Sequence, residues 1–558
     1  MLTLIVSNLE SCNGSSAVTV VVISINVGPF TGNVFSRAAF LSRCAIAYRF
    51  IPSILFSIPA TPNNTATVHL KMSSTAGLLE KGEQEEAQDS SDNSRITAWQ
   101  ALGYLIHTLR PTILTRTNSR VKTKLRRTAY LDGLRGFAAF LVYILHHELW
   151  AHGPLDGDVR FQAGFGYHGD RYFMALPFVR TFFSGGHLAV VIFFVLSGYV
   201  LSTKPLSLIH SGDLLTFGDV LASSFFRRWF RLFLPLIAVT LGIATFYHLT
   251  GIYIQFTPES TYRAELWKWY TDFKNFSFWY AHNVVPWNIY HTHTWTLPVE
   301  LRGSVLVWIT LSAVSRMTRN ARLLCEVTLI WYFMYVVDGA FYSMFMLGVL
   351  LSDLDQLEIS GNLPSFFSYF KSWWGTHLWF FTFLLGVYLG GVPTTEENIS
   401  FLRENPGWLW MSYLKPQAVF DYKHFYLFWA AVMIVPAVPR ISWLKRFFES
   451  NFCQYLGKIS FMLYLVHGPI LWTLGDRMYA AVGWSKEEHA LLIPSWSGIL
   501  LLPRWGPMGL EFSFLCTQVI LLPVTLWIAE ITTNVLDTPS IKVGNWLYRM
   551  MLPAGGDL

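Results

Sequence analysis

The chain has 558 residues, of which 53% are hydrophobic and only 14% are charged. Soluble domains usually carry about a quarter charged residues, so this composition excludes an ordinary soluble protein and indicates a membrane protein. The formal net charge of +6 is modest and fits basic loops beside helices, and no basic–aromatic pattern suggests nucleic-acid binding, so no nucleic-acid partner is expected. The five cysteines are scattered and predict neither a disulfide framework nor a metal site.

The first 127 residues are predicted to lie outside the membrane domain. An apolar stretch at 19–28 ends before Pro29 and has no basic region before it, so it is a poor signal peptide. The stretch that follows Met72 is rich in Ser, Glu and Asp, as disordered segments are. We therefore expect residues 1–71 to be an N-terminal extension of uncertain status, with Met72 as the true start, and residues 72–127 to be a disordered, basic cytosolic segment.

Residues 128–535 carry repeated apolar stretches that approach the length of a bilayer crossing. They predict an all-α fold, a polytopic membrane bundle of about ten transmembrane helices, followed by a cytosolic tail at 536–558. The predicted spans are 135–150, 187–203, 232–250, 296–314, 323–337, 340–352, 377–393, 424–439, 459–475 and 510–531.

Charge sets the predicted orientation of these spans. Arg126 and Arg127 precede the first span, which puts its beginning in the cytosol by the positive-inside rule. Alternating the sides from there leaves the basic loops in the cytosol and the glycosylation sequons at Asn275 and Asn398 on the lumenal side. The pattern predicts a glycoprotein of the endomembranes (ER or Golgi) or of the plasma membrane, with both termini cytosolic.

The first span, YLDGLRGFAAFLVYILHHELW at 130–150, carries Arg135 near its start and His146 eleven residues later. At about 100° per residue these two side chains share one helix face, roughly 16 Å apart along the axis, whereas His147 points elsewhere. An ionisable residue deep in a span is costly and usually marks a functional path. The alternative is that His146 is a packing histidine with a local hydrogen bond.

The second and third spans offer small residues and arginines. Ser197 and Gly198, in an apolar helix, are predicted to serve close helix packing, and Ser197 is not expected to be a nucleophile. In FFRRWFRLFLP at 225–235, Arg228 and Arg231 are three residues apart and share a face. With Arg135 they could hold a phosphorylated cosubstrate, because guanidinium groups bind phosphates bidentately. The alternative is lipid headgroup anchoring.

The loop at 262–295 is rich in tryptophan, tyrosine and phenylalanine, which is typical either of an interfacial aromatic belt or of a lid that stacks on an acceptor. After it comes HTHTWTLPVELRGS, in which Glu300 lies within or at the edge of a span. Glu300 could orient a histidine or bind an acceptor hydroxyl, or it could be buried in an ion pair with Arg302 or another arginine. His291 and His293 are expected in the loop, and their alternation is weak evidence for a metal, so no metal site is predicted.

The ninth span contains GKISFMLYLVHGPI at 457–470. Ser460 and His467 are seven residues apart, so they lie on one face, and Tyr464 is one turn before His467. His467 is therefore a second candidate for the catalytic histidine, with core packing as the alternative.

Taken together, YLDGLRGFAAFLVYILHH, FFVLSGYVLS, RRWFRLFLP, WTLPVE and ISFMLYLVHGP occur in this order along the chain. In this the chain closely resembles the acyltransferase-3 family of integral-membrane O-acyltransferases, in its fungal-type form, over about 128–535. The family pattern of a basic residue, ten residues and a histidine is matched by Arg135 and His146, and its paired arginines by Arg228 and Arg231. Its tryptophan-to-glutamate motif is matched by Trp295 and Glu300, except that Leu301 replaces a second acidic residue.

The resemblance implies transfer of an acyl group, often acetyl, from acyl-CoA to a hydroxyl of a small metabolite or carbohydrate, such as one from secondary metabolism. No permanently bound cofactor is expected. A neutral His146 would take the acceptor's proton, with His467 as the next choice, Glu300 as its supporting carboxylate, and Arg135, Arg228 and Arg231 on the donor phosphates. The competing interpretation is a proton-coupled transporter or lipid-handling protein that uses the same charges. A haem protein is disfavoured because no histidine pair is expected at matched depth on two helices.

Overall fold

The computed structural model describes residues 2–7, 20–25, 125–153, 157–252, 256–278, 286–364 and 374–553. The expectations for 1–71 and for most of 72–127 concern residues outside these ranges. Within the first of two compact units, Met1–Arg95, strand β1 (Leu2–Ser7) pairs antiparallel with β2 (Val20–Ile25). The valine- and isoleucine-rich pattern favours strands, and this hairpin was not part of the all-α prediction.

The second unit, Ile96–Leu558, is α-helical in the residues described. Its α-helices, in chain order, are α1 Ala129–His152, α2 Gly157–Gln162, α3 Arg180–Phe183, α4 Gly186–Ser211, α5 Leu214–Thr250, α6 Tyr262–Phe276, α7 Thr296–Val314, α8 Arg319–Tyr335, α9 Ala340–Ile359, α10 Trp374–Gly390, α11 Ile399–Glu404, α12 Tyr422–Ala437, α13 Ser442–Phe448, α14 Asn451–Ile470, α15 Asp476–Val482, α16 His489–Leu492, α17 Phe512–Thr532 and α18 Thr538–Met550. Short 3₁₀ turns lie at Tyr167–Gly169, Phe173–Ala175, Thr292–Trp295, Met411–Leu414 and Val438–Arg440, and π turns lie at Leu471–Gly475 and Thr533–Asp537.

Each of the ten predicted spans coincides with one of these helices over most of its length. Among the described residues, four helical stretches are long and apolar enough to cross a membrane, and a fifth qualifies if the pair Tyr422–Arg440 and Ser442–Phe448, bent by 96°, counts as one span. The four are Gly186–Ser211, Leu214–Thr250, Thr292–Val314 and Phe512–Met550. The described residues therefore include four to five candidate spans, and the number ten stays a prediction.

Helices α1 and α14 pack side by side and run in the same direction. Glycines allow the approach, since a Cβ on Gly136 would lie 2.2 Å from the backbone nitrogen of Gly457 and one on Gly133 would lie 1.8 Å from the carbonyl oxygen of Phe448. Such distances leave no room for a side chain. The glycines at the start of α1 thus fix how α1 and α14 face each other further along.

Helices α4 and α9 also meet through small residues. A Cβ on Gly198 would lie 2.1 Å from the carbonyl oxygen of Phe345, and one on Gly348 would lie 2.1 Å from that of Val195. The packing role predicted for Gly198 is confirmed. This contact sets the rotation of α4 and with it the direction of Ser197.

The predicted cytosolic tail includes a helix. Helix α18 packs along α5, where Arg227 Nη1 donates a 2.6 Å hydrogen bond to Asn545 Oδ1 and a Cβ on Gly544 would lie 3.8 Å from Arg227 Cβ. The π turn Thr533–Asp537 joins α17 to α18. It brings Asp537 to the same end of the bundle as the arginines of α5.

Candidate active site

The first and ninth predicted spans bring two histidines together. His146 Nδ1 on α1 lies 2.9 Å from His467 Nε2 on α14. Near the beginning of the same two helices, Arg135 Nε donates to Ser460 Oγ at 3.1 Å and Arg135 Nη2 donates to the carbonyl oxygen of Gly457 at 3.0 Å. The shared faces predicted for Arg135 with His146, and for Ser460 with His467, are confirmed. His147 turns away, and its Nδ1 lies 2.7 Å from the hydroxyl of Tyr479.

Hydrogen-bond chemistry orders the protons on this pair. His467 Nδ1 lies 3.2 Å from the carbonyl oxygen of Leu463, which can only accept, so Nδ1 carries the proton. A neutral His467 then has a bare Nε2, which accepts from the Nδ1–H of His146. His146 Nε2, which has no hydrogen-bond partner among the residues described, is left with its lone pair.

His293 completes a cluster of three imidazoles. It lies in the 3₁₀ turn Thr292–Trp295, and its ring stacks on that of His146 with centroids 3.7 Å apart and planes 7° apart. The Tyr464 hydroxyl hydrogen-bonds to the carbonyl oxygen of His293 and lies 2.7 Å from Thr296 Oγ1. Tyr464 thereby ties the turn to α14.

His291 has a structural contact of its own. It is buried, and its Nε2 lies 2.7 Å from the carbonyl oxygen of Leu465, to which it donates. The Trp472 ring covers both His291 and His293, at centroid distances of 5.3 and 5.1 Å. Sequence reasoning left both histidines in a loop, whereas His291 anchors the turn and His293 reaches the cluster.

The three histidines could also hold a metal ion, although no metal site was predicted. One ligand nitrogen from each of His146, His293 and His467 lies within 4.8 Å of the others, and three histidines form a known zinc ligand set. The rings of His146 and His293 are stacked in parallel, however, and the His146–His467 contact is a direct hydrogen bond.

The sequence also led us to expect no histidine pair at matched depth on two helices. That expectation is wrong, because His146 on α1 and His467 on α14 form such a pair.

Glu300 lies in a buried polar network. It accepts hydrogen bonds from Arg228 Nη2 and Ser197 Oγ, and Arg228 Nε donates to Ser304 Oγ at 2.9 Å. The side chains of Arg228 and Glu300 are only 10% and 16% exposed. Of the roles considered for Glu300, the ion pair with an arginine is present, with Arg228 rather than Arg302 as the partner described. Ser197 is more than a packing residue, because its hydroxyl joins this pair.

Glu300 does not contact a histidine among the residues described, although it remains near the cluster. It is one helical turn after Thr296, whose Oγ1 lies 2.7 Å from the Tyr464 hydroxyl. Tyr464 is in turn one turn before His467. The glutamate is thus connected to the histidines through Tyr464 and Thr296.

The three predicted phosphate-binding arginines have different surroundings. Arg228 is paired with Glu300, and Arg135 makes a 3.2 Å ion pair with Asp132 besides its bonds to α14. Arg231 is exposed and interacts electrostatically with Arg135 and with Asp537. Arg231 and Arg135 therefore share one end of the bundle, while Arg228 points into its interior.

Comparison with known proteins assigns this arrangement to a family. A family model described as an acyltransferase domain matches residues 128–531. The O-acetyltransferase PaAT-1 of Phomopsis amygdali is 29% identical over 476 residues, which cover 78% of this chain and 87% of that protein. No solved structure matches the chain. The matched residues include the three clustered histidines and the Arg228–Glu300 ion pair. They also include Arg135 and Arg231, at the end of the bundle that is predicted to face the cytosol.

Proposed function

The chain belongs to the acyltransferase-3 family, and from this premise we propose that it is a membrane-bound O-acyltransferase that moves an acyl group, acetyl in the simplest case, from acyl-CoA to a hydroxyl of a small metabolite or carbohydrate. The observation that carries the proposal is His146 Nε2, which has no hydrogen-bond partner among the described residues, on a ring that His467 holds and His293 covers. The similarity to an O-acetyltransferase supports acetyl as the group transferred.

In the proposed reaction His146 is the general base. The acceptor hydroxyl donates its proton to His146 Nε2 as its oxygen attacks the thioester carbonyl, because a base must be within hydrogen-bond reach of the proton it removes. The C–S bond then breaks, and the CoA thiolate leaves with the proton from His146. One ester forms and one thioester is lost, without an acyl-enzyme intermediate.

His467 and His293 act on His146 rather than on the substrate. The Nε2 of His467 fixes the tautomer of His146 by accepting its Nδ1–H, and it stabilises the imidazolium that forms during transfer. The stacked ring of His293 restricts rotation of His146. We therefore propose His467 as a positioning residue, although the sequence alone made it an alternative base.

The donor is proposed to enter from the end of the bundle that carries Arg135 and Arg231, with its phosphates on these guanidinium groups. Ten residues separate Arg135 from His146, so an extended thioester arm would have to cover roughly 16 Å along the helix. Arg228 points into the interior, away from this entrance, where it donates to Glu300. Glu300 is thus proposed as a positioning residue of the ion pair.

We also propose the finer topology of ten spans with both ends cytosolic. It puts Arg135 and Arg231 in the compartment that supplies CoA and leaves Asn275 and Asn398 on the lumenal side. Residence in the endomembranes or the plasma membrane, and an acceptor from secondary metabolism, belong to the same proposal.

The test is release of free CoA by the purified protein in nanodiscs, with acetyl-CoA and a panel of hydroxyl acceptors. We expect release to require both an acceptor and His146, with the ester identified by mass spectrometry. Saturable binding of acetyl-CoA without turnover would point to a missing acceptor. Absence of both binding and turnover would count against the proposal.

A further inference from the structure

A cavity lies apart from the histidine cluster, between the loop that follows α2, the end of α10 and the segment after α11. Its volume is about 200 Å³, and its walls include Phe165, Arg180, Tyr388 and Trp408. The rings of Tyr388 and Trp408 are stacked, with centroids 5.0 Å apart and planes 6° apart. Flat apolar walls with one charged group are typical of small-molecule sites.

Arg180 is the charged group of this cavity, and it is 3% exposed. Its Nη1 and Nη2 donate to the carbonyl oxygens of Ala163 and Gln162 at 2.9 and 3.1 Å, while its buried Nε finds no acceptor in the part of the chain that the structure describes. Among the described residues no carboxylate forms an ion pair with it. A buried cation without a counter-charge is costly, and a bound anion would reduce that cost by pairing with the guanidinium of Arg180.

The electrostatic surroundings of Arg180 contain no nearby carboxylate among the described residues. Burial lowers the pKa of Arg180 to about 10, and the groups that oppose this shift are the side chains of Tyr422 and Tyr388 rather than a carboxylate. The guanidinium is still charged at neutral pH. A Cβ on Gly391 would lie 2.8 Å from Arg180 Cγ, so this glycine lets the arginine stem pass close to the end of α10.

Capping of α2 is the competing explanation. Gln162 is the last residue of α2, and basic side chains often bond the last carbonyls of a helix. Capping accounts for Nη1 and Nη2, but it accounts neither for the orphan Nε nor for the aromatic cavity beside it. The two roles predict different responses to ligands, which makes them separable.

We propose that this cavity is a binding site for a small carboxylate with a flat, apolar body, whose charge pairs with Arg180 and whose body packs against Tyr388 and Trp408. Its walls share no residue with the histidine cluster. Gln162 nevertheless connects the cavity to the second predicted span, because its carbonyl oxygen accepts from Arg180 and its Oε1 lies 3.0 Å from His187 Nε2.

Benzoate is the probe, with benzamide as its neutral counterpart of the same shape. Binding is measured by titration calorimetry on the full chain in nanodiscs of neutral lipid, at constant ionic strength, with empty nanodiscs as the blank. We expect saturable binding of benzoate and at least about tenfold weaker binding of benzamide, since a charged hydrogen bond is lost. Equal binding of the two probes, or binding of neither, would overturn the proposal without use of any variant.

Variants then identify the charge that is used. Arg180→Gln should weaken benzoate binding by about tenfold or more, whereas Arg171→Gln, at an exposed arginine of the same loop, should leave it unchanged. His146→Ala should bind benzoate as the wild type does, so a failure of the proposed acyl transfer would not count against this site. Retained benzoate binding in a folded Arg180→Gln protein would show that Arg180 only caps α2.

Discussion

His146 Nδ1 lies 2.9 Å from His467 Nε2, and this single hydrogen bond determines which nitrogen of His146 is free for chemistry. His467 Nδ1 donates to the carbonyl oxygen of Leu463, so the proton of a neutral His467 is on Nδ1 and its Nε2 can only accept. His146 must therefore donate to His467 through its Nδ1–H. The lone pair is left on His146 Nε2.

His146→Ala should lower acyl transfer by roughly 10²–10⁴-fold, because the loss of a general base has that effect. CoA release under saturating donor measures it. His147→Ala is the matched control, since His147 is the adjacent histidine and bonds Tyr479 instead. It should cost stability while most of the turnover remains. Full activity in His146→Ala would move the base to another residue.

His467→Phe should lower kcat by roughly five- to thirtyfold, with little change in the KM for the acceptor, because one hydrogen bond that orients His146 is lost. His467→Gln should recover part of kcat, since its side-chain oxygen can accept from His146. Steady-state kinetics on the two variants provide the comparison. Equal activity of both variants would argue against an orienting role.

Arg228→Ala or Glu300→Gln should each lower the free energy of unfolding by about 3–5 kcal/mol, because each leaves a buried charged or polar partner unpaired. The double variant should cost less than the sum of the two. Glu449→Gln is the control, as its 3.7 Å pair with Lys445 is far more exposed and should be worth less than about 1 kcal/mol. Thermal and denaturant unfolding in detergent give the values, and strict additivity would rule out the pair.

Arg231→Ala should raise the KM for acyl-CoA while kcat at saturating donor stays near the wild-type value. The reason is that an exposed guanidinium on a phosphate contributes to binding but not to the bond changes. Increasing salt should reduce the difference between the two proteins, since salt screens exposed charges. An unchanged donor KM would exclude a contact between Arg231 and the donor phosphates.

A metal chelator should leave turnover unchanged, and added Zn²⁺ should inhibit. The nitrogens of His146, His293 and His467 lie within 4.8 Å, so zinc would engage the lone pair that the base requires. His293→Phe should weaken the inhibition because it removes one ligand and keeps a stacked ring. Loss of activity with the chelator, restored by zinc, would instead make the metal part of the working enzyme.

Much of this arrangement follows from helical periodicity. The helices coincide with the predicted spans because long apolar stretches specify helices in a membrane. The eleven-residue step from Arg135 to His146 and the seven-residue step from Ser460 to His467 predicted which side chains would face each other. The relative direction of two side chains on one helix depends only on their spacing, so it does not change with the packing of the other helices.

Contacts between distant segments were beyond that reasoning. His293 lies in a 3₁₀ turn after an irregular loop, where no period predicts a direction, and its stacking on His146 depends on Tyr464 and Trp472. An ion pair with an arginine was one of the alternatives considered for Glu300, and several arginines could have supplied the partner. Arg228 is the partner because of how α4 and α5 are rotated relative to α7. That rotation depends on packing between helices and cannot be predicted from the sequence of one helix.

The glycine contact between α1 and α14 controls the geometry of the active site from a distance, because it sets the angle between the two helices that carry His146 and His467. Gly136 precedes His146 by ten residues, or about 15 Å of helix. A methyl group at Gly136 would collide with the backbone of Gly457 and prise the two helices apart there. A tilt of a few degrees would then be magnified at the far end into a displacement comparable to the tolerance of a hydrogen bond. Enzymes of this build should therefore lose activity through substitutions at the opposite end of the helix as readily as through those beside the reacting atoms.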